Sequence, residues 1–411
     1  MINKIKKIFS SELTKGSLIL IIGTFIFNIL NYLFHFSMAR MLGPTDYGVL
    51  ASLFAIIYFF SIPTETIQTT IARYTAVFNA RKETGKIKSL MRRSIKKAWI
   101  FGIVGILIFL IITPWIKDFL KLDSIFSLIL LSLLILPAIL SPVVRGVMQG
   151  IKKFTLFGIN SCTEGLIKLG LAVLLVFLGF RVNGAIGAVI AASFIAFLAA
   201  FYFLKDIVDK KEEYFDGKEV YKYSLPVFIA IICITFMYSI DVILAKHFFS
   251  EHDAGLYAVA SMLGKMIFFA LNPIAKVMFP IVSERKEKKE EYKHILNKAL
   301  IVVGIISTII TVLYYLFPQL IISVLFGQQY LETQGIIGYL GLAFAFMTLS
   351  YTLIFYNLSL RKNKVVWILP VFIVLEIVLL SLFNSSLAQF SVMFSVANFI
   401  ILLFLIIFNK K

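Results

Sequence analysis

Acid is scarce in this chain, and so are cysteine and histidine. Of 411 residues only 22 are Asp or Glu, against 40 Lys or Arg. The two cysteines, Cys162 and Cys233, both lie inside apolar stretches. They read as small core residues, and a disulfide framework is excluded. Four histidines without a His/Cys cluster argue against a metal site. Missing too are a nucleophile elbow, a Walker loop and a pair of carboxylates on a polar loop. No catalytic residue, metal or cofactor is therefore read from this sequence, and the chain is not expected to be an enzyme.

What is present is hydrocarbon. The chain is 60% hydrophobic, with a mean hydropathy of +0.94. A soluble protein of this length lacks the polar surface to cover such a core. A spanning helix needs about 20 apolar residues. Twelve stretches qualify: 17–39, 48–72, 98–115, 124–144, 154–179, 184–204, 225–245, 255–282, 299–317, 335–359, 365–383 and 388–408. They leave little chain for an extramembrane domain. Lys4, Lys6, Lys7 and Lys15 precede an apolar run of 23 residues. That run is longer than a signal-peptide core and lacks a small-x-small cleavage site, so it reads as the first retained helix.

The basic residues orient the spans. With the N-terminus inside, 31 of the 40 fall in cytoplasmic segments: the N-terminal tail, 79–97, 145–153, 205–222, 284–298, 361–364 and the C-terminus. Only Arg40, Lys117, Lys121, Arg181 and Lys246 fall in the opposite loops. This is a positive-inside bias, and it places both termini in the cytoplasm of a multi-pass protein of the cytoplasmic membrane. The net charge of +18 is thus an orientation signal and an attraction to anionic membrane lipid. Spread over seven short segments, it does not describe a nucleic-acid partner.

The chain repeats itself weakly. Ala39-Arg40-Met41-Leu42-Gly43-Pro44-Thr45-Asp46-Tyr47-Gly48 and the stretch 245–255 both join two spans through Ala, a cation, an acid and a Gly. Lys97-Ala98 and Lys298-Ala299 each open a helix, which ends near Pro114 and Pro318 respectively. The offsets are 206, 201 and 204 residues. Two parallel bundles of six helices are expected, 1–204 and 225–411, joined by a cytoplasmic linker at 205–224. Transporters built this way bind between their halves.

Four cations, Arg73, Lys168, Lys265 and Lys276, lie inside spans. Cations are costly in hydrocarbon and face a cavity or a partner, so this pattern points to an anionic cargo. Thr24, Asn28, Asn31 and His35 draw one face of the first span. Glu65, Thr69 and Arg73 share a face of the second, after Pro63. Ser261, Lys265, Asn272 and Lys276 share a face of the eighth, interrupted by Pro273. Interrupted spans in matching places are a pointer to a transport site. Each feature has a structural reading too. Polar stripes hold helices together at ~0.6 kcal/mol per bond. Arg73 and Lys276 are near enough to helix ends to snorkel. Glu164 and Lys168, four residues apart, neutralise each other. Lys265 is deeper, about ten residues or ~15 Å from the outer end. Asp241 is its charge partner or, alternatively, a proton or sodium site. Glu376 has no evident partner in the sequence.

The turn 39–48 resembles the signature after the first helix of polysaccharide flippases, the exporters of O-antigen and teichuronic-type lipid-linked oligosaccharides within the multidrug/oligosaccharidyl-lipid/polysaccharide superfamily. Gly146-Val147-Met148-Gln149-Gly150 is similar to the family's turn after the fourth helix. Asp241, Phe249-Ser250 and Gly255-Leu256-Tyr257 resemble its seventh-to-eighth helix segment. Phe326-Gly327-Gln328-Gln329-Tyr330 resembles its turn after the ninth. The resemblance implies an all-α, V-shaped pair of six-helix bundles, a cationic central cavity formed mainly by spans 1, 2, 7 and 8, and alternating access. The related multidrug exporters usually carry an acid in the first helix, where this chain has Asn28, Asn31 and His35.

The function expected is a flippase for an isoprenyl-pyrophosphate-linked oligosaccharide, serving cell-surface polysaccharide biosynthesis. Arg73, Lys168, Lys265, Lys276, Asn31 and His35 are the expected substrate contacts, with Asp241 as the ion-coupling candidate. Polysaccharide polymerase or assembly proteins are the expected protein partners. The alternatives are a cation-coupled multidrug exporter of the same fold and a membrane-embedded glycan polymerase or ligase.

Overall fold

The computed structural model describes residues 12–214, 225–287, 289–360, 362 and 364–410. The N-terminal tail 1–11 and the stretch 215–224 of the expected linker lie outside the described residues, as do the side chains of Thr24, Pro63 and Glu65. Among the described residues every regular element is a helix. The physical reason is the solvent. Hydrocarbon offers no hydrogen bonds, so a spanning segment must satisfy its backbone internally. Among the described residues, ten helical runs are long and apolar enough to cross a membrane. Each of the twelve expected stretches lies on helix, apart from a residue or two at some ends and the break at Leu134 within 124–144. The protein is an all-α, multi-pass membrane protein.

Helix α1 runs from Glu12 to Ala80 and contains the first two expected spans. Its 69 residues would stretch about 100 Å if straight, against a hydrocarbon core of about 30 Å. It breaks at Gly43, whose φ of 77° and ψ of 174° are not helical. That left-handed φ suits glycine, and Pro44 follows without an N–H to donate. Next come α2 (Thr84–Phe119), α3 (Phe126–Leu133), α4 (Ile135–Gly150), α5 (Phe154–Leu175), α6 (Arg181–Phe203) and the short α7 (Lys205–Val208). A π-turn over Val176–Phe180, with Gly179 at φ 91°, separates α5 from α6, and the two helices pack on each other. The second part of the chain holds α8 (Leu225–Phe248), α9 (Glu251–Glu287), α10 (Lys293–Leu316), α11 (Pro318–Leu325), a 3-10 helix (Gln328–Gly335), α12 (Ile337–Ser359), α13 (Lys364–Leu382) and α14 (Leu387–Lys410).

The helices form two compact units. One comprises Met1–Leu42 and Phe60–Ser224, the other Gly43–Phe59 and Leu225–Lys411. The middle of α1 is thus part of the second unit. In the first unit, Ile71 of α1, Leu90 and Met91 of α2, Leu140, Val144 and Val147 of α4, and Phe197 of α6 form an apolar core. Residues 206–214 lie along α2 and the start of α5 in this unit. Asp206 accepts from Lys153 at 2.9 Å, a bond that holds its carboxyl below its ordinary value. Lys88 donates to the Lys210 carbonyl at 2.6 Å, Arg92 meets Glu212 at 2.5 Å, and the Glu213 N–H donates to the Gly85 carbonyl at 3.3 Å.

In the second unit α9 packs along α12, α12 against α10 and α14, and α8 against both α9 and α13. The Gly43–Phe59 segment is anchored here by Tyr47, fully buried against the rings of Phe326 and Tyr330 at 6.4 and 6.2 Å.

Candidate functional site

Each unit buries one polar cluster in its apolar interior. The first is built on α5. Glu164 accepts from the Arg145 guanidinium of α4 and from Ser193 Oγ of α6, the latter at 2.6 Å. Arg145 Nε also donates to Asn160 Oδ1 at 3.1 Å, and Asn160 Nδ2 donates to the Ala196 carbonyl at 2.7 Å. One turn along, Lys168 donates to Asn31 Oδ1 of α1 and lies 4.7 Å from the Phe34 ring centre. Asn31 Nδ2 donates in turn to the Phe27 carbonyl at 3.0 Å. The structure therefore joins two expected site residues, Lys168 and Asn31. The expected partner of Lys168 was Glu164. That carboxylate does interact electrostatically with Lys168, but its hydrogen bonds go to Arg145 and Ser193, because α4 brings a forked guanidinium alongside it. Arg145 itself was read as a cytoplasmic cation, and the structure has it on a helix and largely buried.

The second cluster centres on Asp241 of α8, which is fully buried. Tyr257, Ser261 and Lys265 of α9 are spaced by four and share one helix face. Ser261 Oγ donates to Asp241 Oδ2 at 2.5 Å and Tyr257 Oη donates to the same oxygen at 3.4 Å. The Lys265 ammonium stands 3.6 Å from Oδ1. It also stands 5.9 Å from the ring centres of both Tyr58 and Phe344. Tyr58 packs edge-on to Tyr238 at 5.3 Å and against Phe269 at 6.2 Å, so the ammonium borders an aromatic group. Glu376 of α13 is fully buried and interacts electrostatically with Asp241 and with Tyr257.

The other expected site residues lie on α1 and α9. His35 is buried on α1 with its ring edge-on to Phe34 at 5.4 Å. Arg73 of α1 and Lys276 of α9 are exposed. Three members of the second cluster, Tyr257, Ser261 and Glu376, are not among the expected site residues. The four-residue step Tyr257–Ser261–Lys265 was the signal available for Tyr257. Glu376 carried only the oddity of a lone acid in an apolar span.

Chemically, the second cluster is an ammonium held against a carboxylate in a low-dielectric interior, bordered by aromatic rings. It suits the recognition and release of charged groups. Residues 37–334 match the family model described as polysaccharide biosynthesis protein. The chain belongs to this family. The match spans the turn 39–48 and both polar clusters except Asn31 and Glu376. Among curated proteins, this polysaccharide biosynthesis protein is 20% identical over 338 residues to a putative O-antigen transporter of Shigella flexneri, covering 80% of each chain. Its fold is that of solved membrane transporters. An inward-facing multidrug resistance transporter of the MATE family superposes with a TM-score of 0.76 at 12% identity, over 93% of this chain and 94% of the other. The lipid II flippase MurJ in an inward closed conformation superposes with a TM-score of 0.72 at 16% identity, over 96% of this chain and 88% of the other.

Proposed function

We propose that this membrane transporter of the polysaccharide biosynthesis family flips an isoprenyl-pyrophosphate-linked oligosaccharide across the cytoplasmic membrane by alternating access. The observation that carries the reading is Lys265, an ammonium 3% exposed in a membrane helix. A cation at such a position is retained at a cost, and an anionic cargo that passes through the protein gives it a use. The similarity to a putative O-antigen transporter and to a lipid II flippase supports the same class of cargo.

In this reading the pyrophosphate meets Lys265, with Arg73, Lys168 and Lys276 as further cations along its route. The sugars hydrogen-bond polar stripe residues such as Asn31 and His35, the isoprenyl tail stays in lipid, and Asp241 handles a coupling ion. Both termini are cytoplasmic, and the polysaccharide polymerase or assembly machinery receives the product. A pyrophosphate carries about two negative charges, and an inside-negative potential favours its outward passage by ~2.3 kcal/mol per charge per 100 mV. Outward export thus has a driving force even without a coupled ion.

The test is reconstitution. Purified protein in liposomes is expected to move a fluorescent isoprenyl-pyrophosphate oligosaccharide between leaflets, and to bind pyrophosphate lipids in preference to cationic drugs. Transport of cationic drugs alone would favour the multidrug reading, and turnover of glycosidic bonds would favour a polymerase or ligase.

A further inference from the structure

Glu376 is a fully buried acid that the reading above leaves without a task. It is 0% exposed, and neither carboxylate oxygen has a hydrogen-bond partner among the described residues. Its neighbour Asp241 is treated very differently. Two hydroxyls and one ammonium converge on Asp241, at 2.5, 3.4 and 3.6 Å. That is the environment of an ionised carboxylate. Glu376 has the environment of a neutral one, because a charge buried without donors neutralises itself. Charge counting agrees. Asp241 and Lys265 cancel, so an ionised Glu376 would leave this interior with a net negative charge.

The groups that bear on Glu376 are few. Asp241 of α8 and Tyr257 of α9 interact electrostatically with it, while Lys265 of α9 and Tyr58 of the Gly43–Phe59 segment bear on Asp241. The packed neighbour α12 contributes only tyrosines, and α14 has no acid or base before Lys410.

We propose that Glu376 is a proton site: it carries a proton in the substrate-free protein and donates it into a hydrogen bond with Asp241 when Lys265 leaves Asp241 for the anion. The inference rests on the reading of Lys265 as the contact for pyrophosphate. Without such a device, the departure of Lys265 would strand a buried carboxylate. With it, one proton is shared between two acids, an arrangement that adjacent carboxyls adopt readily. The balance is simple. No proton enters or leaves, Lys265 keeps its charge throughout, and the negative charge of Asp241 spreads over the pair. Glu376 is not within hydrogen-bond distance of Asp241 in this structure, so a side-chain rotation accompanies the exchange.

Infrared spectroscopy of the full-length protein in bilayers tests this directly. A protonated carboxylic acid gives a C=O stretching band distinct from that of carboxylates. The wild type is expected to show such a band at neutral pH, Glu376→Gln to lose it, and Asp241→Asn to keep it. Adding farnesyl pyrophosphate is expected to shift the wild-type band to lower frequency, as the acid becomes hydrogen-bonded. This second readout needs no variant at position 376. Lys265→Met is expected to show the shifted band before any lipid is added. Absence of the band overturns the proton site and leaves the anion reading intact. A band that stays still while calorimetry shows the lipid bound overturns the exchange, as does a band lost on adding sodium. Failure of the lipid to bind removes the anion reading and the exchange together, and calorimetry registers that failure separately from the spectrum.

Discussion

A Cβ placed on Gly48 would lie 2.8 Å from the backbone nitrogen of Gly255. The two glycines occupy matching places in the related turns 39–48 and 245–255, and both belong to the second unit. Their backbones touch, so neither position has room for a side chain. Gly255 is the tighter of the two, since its Cβ would run into the carbonyl oxygen of Pro44. Backbone atoms cannot step aside as a flexible side chain does. Gly255→Ala is expected to destabilise the purified protein by about 1–3 kcal/mol, read as a lower Tm in mild detergent. Gly170 is the control, because its Cβ would meet nothing within 4 Å. Gly170→Ala is expected to leave Tm unchanged or raise it, by up to about 1 kcal/mol. Equal losses at both sites would refute the packing argument.

The Arg145–Glu164 pair makes a second prediction. The side chains are 16% and 14% exposed, so removing one partner leaves the other largely without water. Arg145→Met is expected to cost about 3–5 kcal/mol, and the double variant Arg145→Met/Glu164→Gln to regain most of it. Ser193→Ala removes one donor from the same carboxylate and is expected to cost about 1–3 kcal/mol. Chemical denaturation of the four proteins gives the comparison. Should Arg145→Met cost no more than Ser193→Ala, the guanidinium is not the group that keeps Glu164 buried.

The fold was legible because each span announces itself. About twenty apolar residues in a row admit no other backbone, and the basic segments mark where they stop. The partnerships between helices were less legible. Lys265 and Asp241 were named together because each is a lone charge at a similar depth. Glu164 was assigned to Lys168 because four-residue spacing is all a single helix displays. The hydrogen-bonded partner of Glu164, Arg145, sits on the preceding helix, and its facing direction depends on how the two helices are rotated. Glu376 is 135 residues from Asp241 in sequence, and nothing local relates them. Likewise, Gly43-Pro44 reads as a turn, and only the structure assigns the residues after it to the second unit.

Orientation is a third test. The basic bias of 31 to 5 predicts that 205–222 and 284–298 face the cytoplasm. In a background with Cys162 and Cys233 replaced, single cysteines in these segments are expected to react with a membrane-permeant maleimide and to resist an impermeant one in intact cells. A cysteine at Lys117 is expected to react with both. Labelling of 205–222 from outside would reverse the topology and, with it, the proposed direction of export.

The fourth prediction separates cargo contact from structural pairing at Lys265. A lysine near the middle of a spanning helix costs ~2.5–3.5 kcal/mol on translocon-type scales. If the ammonium exists to meet pyrophosphate, Lys265→Ala abolishes glycan export while abundance stays near normal. Asp241 is not stranded by that change, since Ser261 and Tyr257 still donate to it and Glu376 is at hand. Lys265→Arg keeps partial function, because the charge survives while the shape and hydrogen-bond geometry change. If the ammonium exists only to neutralise Asp241, the outcome differs. Lys265→Ala then lowers abundance by leaving a buried carboxylate uncompensated, and adding Asp241→Asn restores abundance and export together. Asp241→Asn alone carries its own expectation, a greater loss of ion coupling than of lipid binding. The decisive protein is the double variant Lys265→Ala/Asp241→Asn, assayed for abundance by blotting and for export by surface glycan. Normal abundance without export supports the anion contact where Asp241→Asn alone still exports, because the charge pair has then been removed in balance and the added defect is the loss of the cargo's counter-ion. Recovered export would show that no substrate ever needed the ammonium.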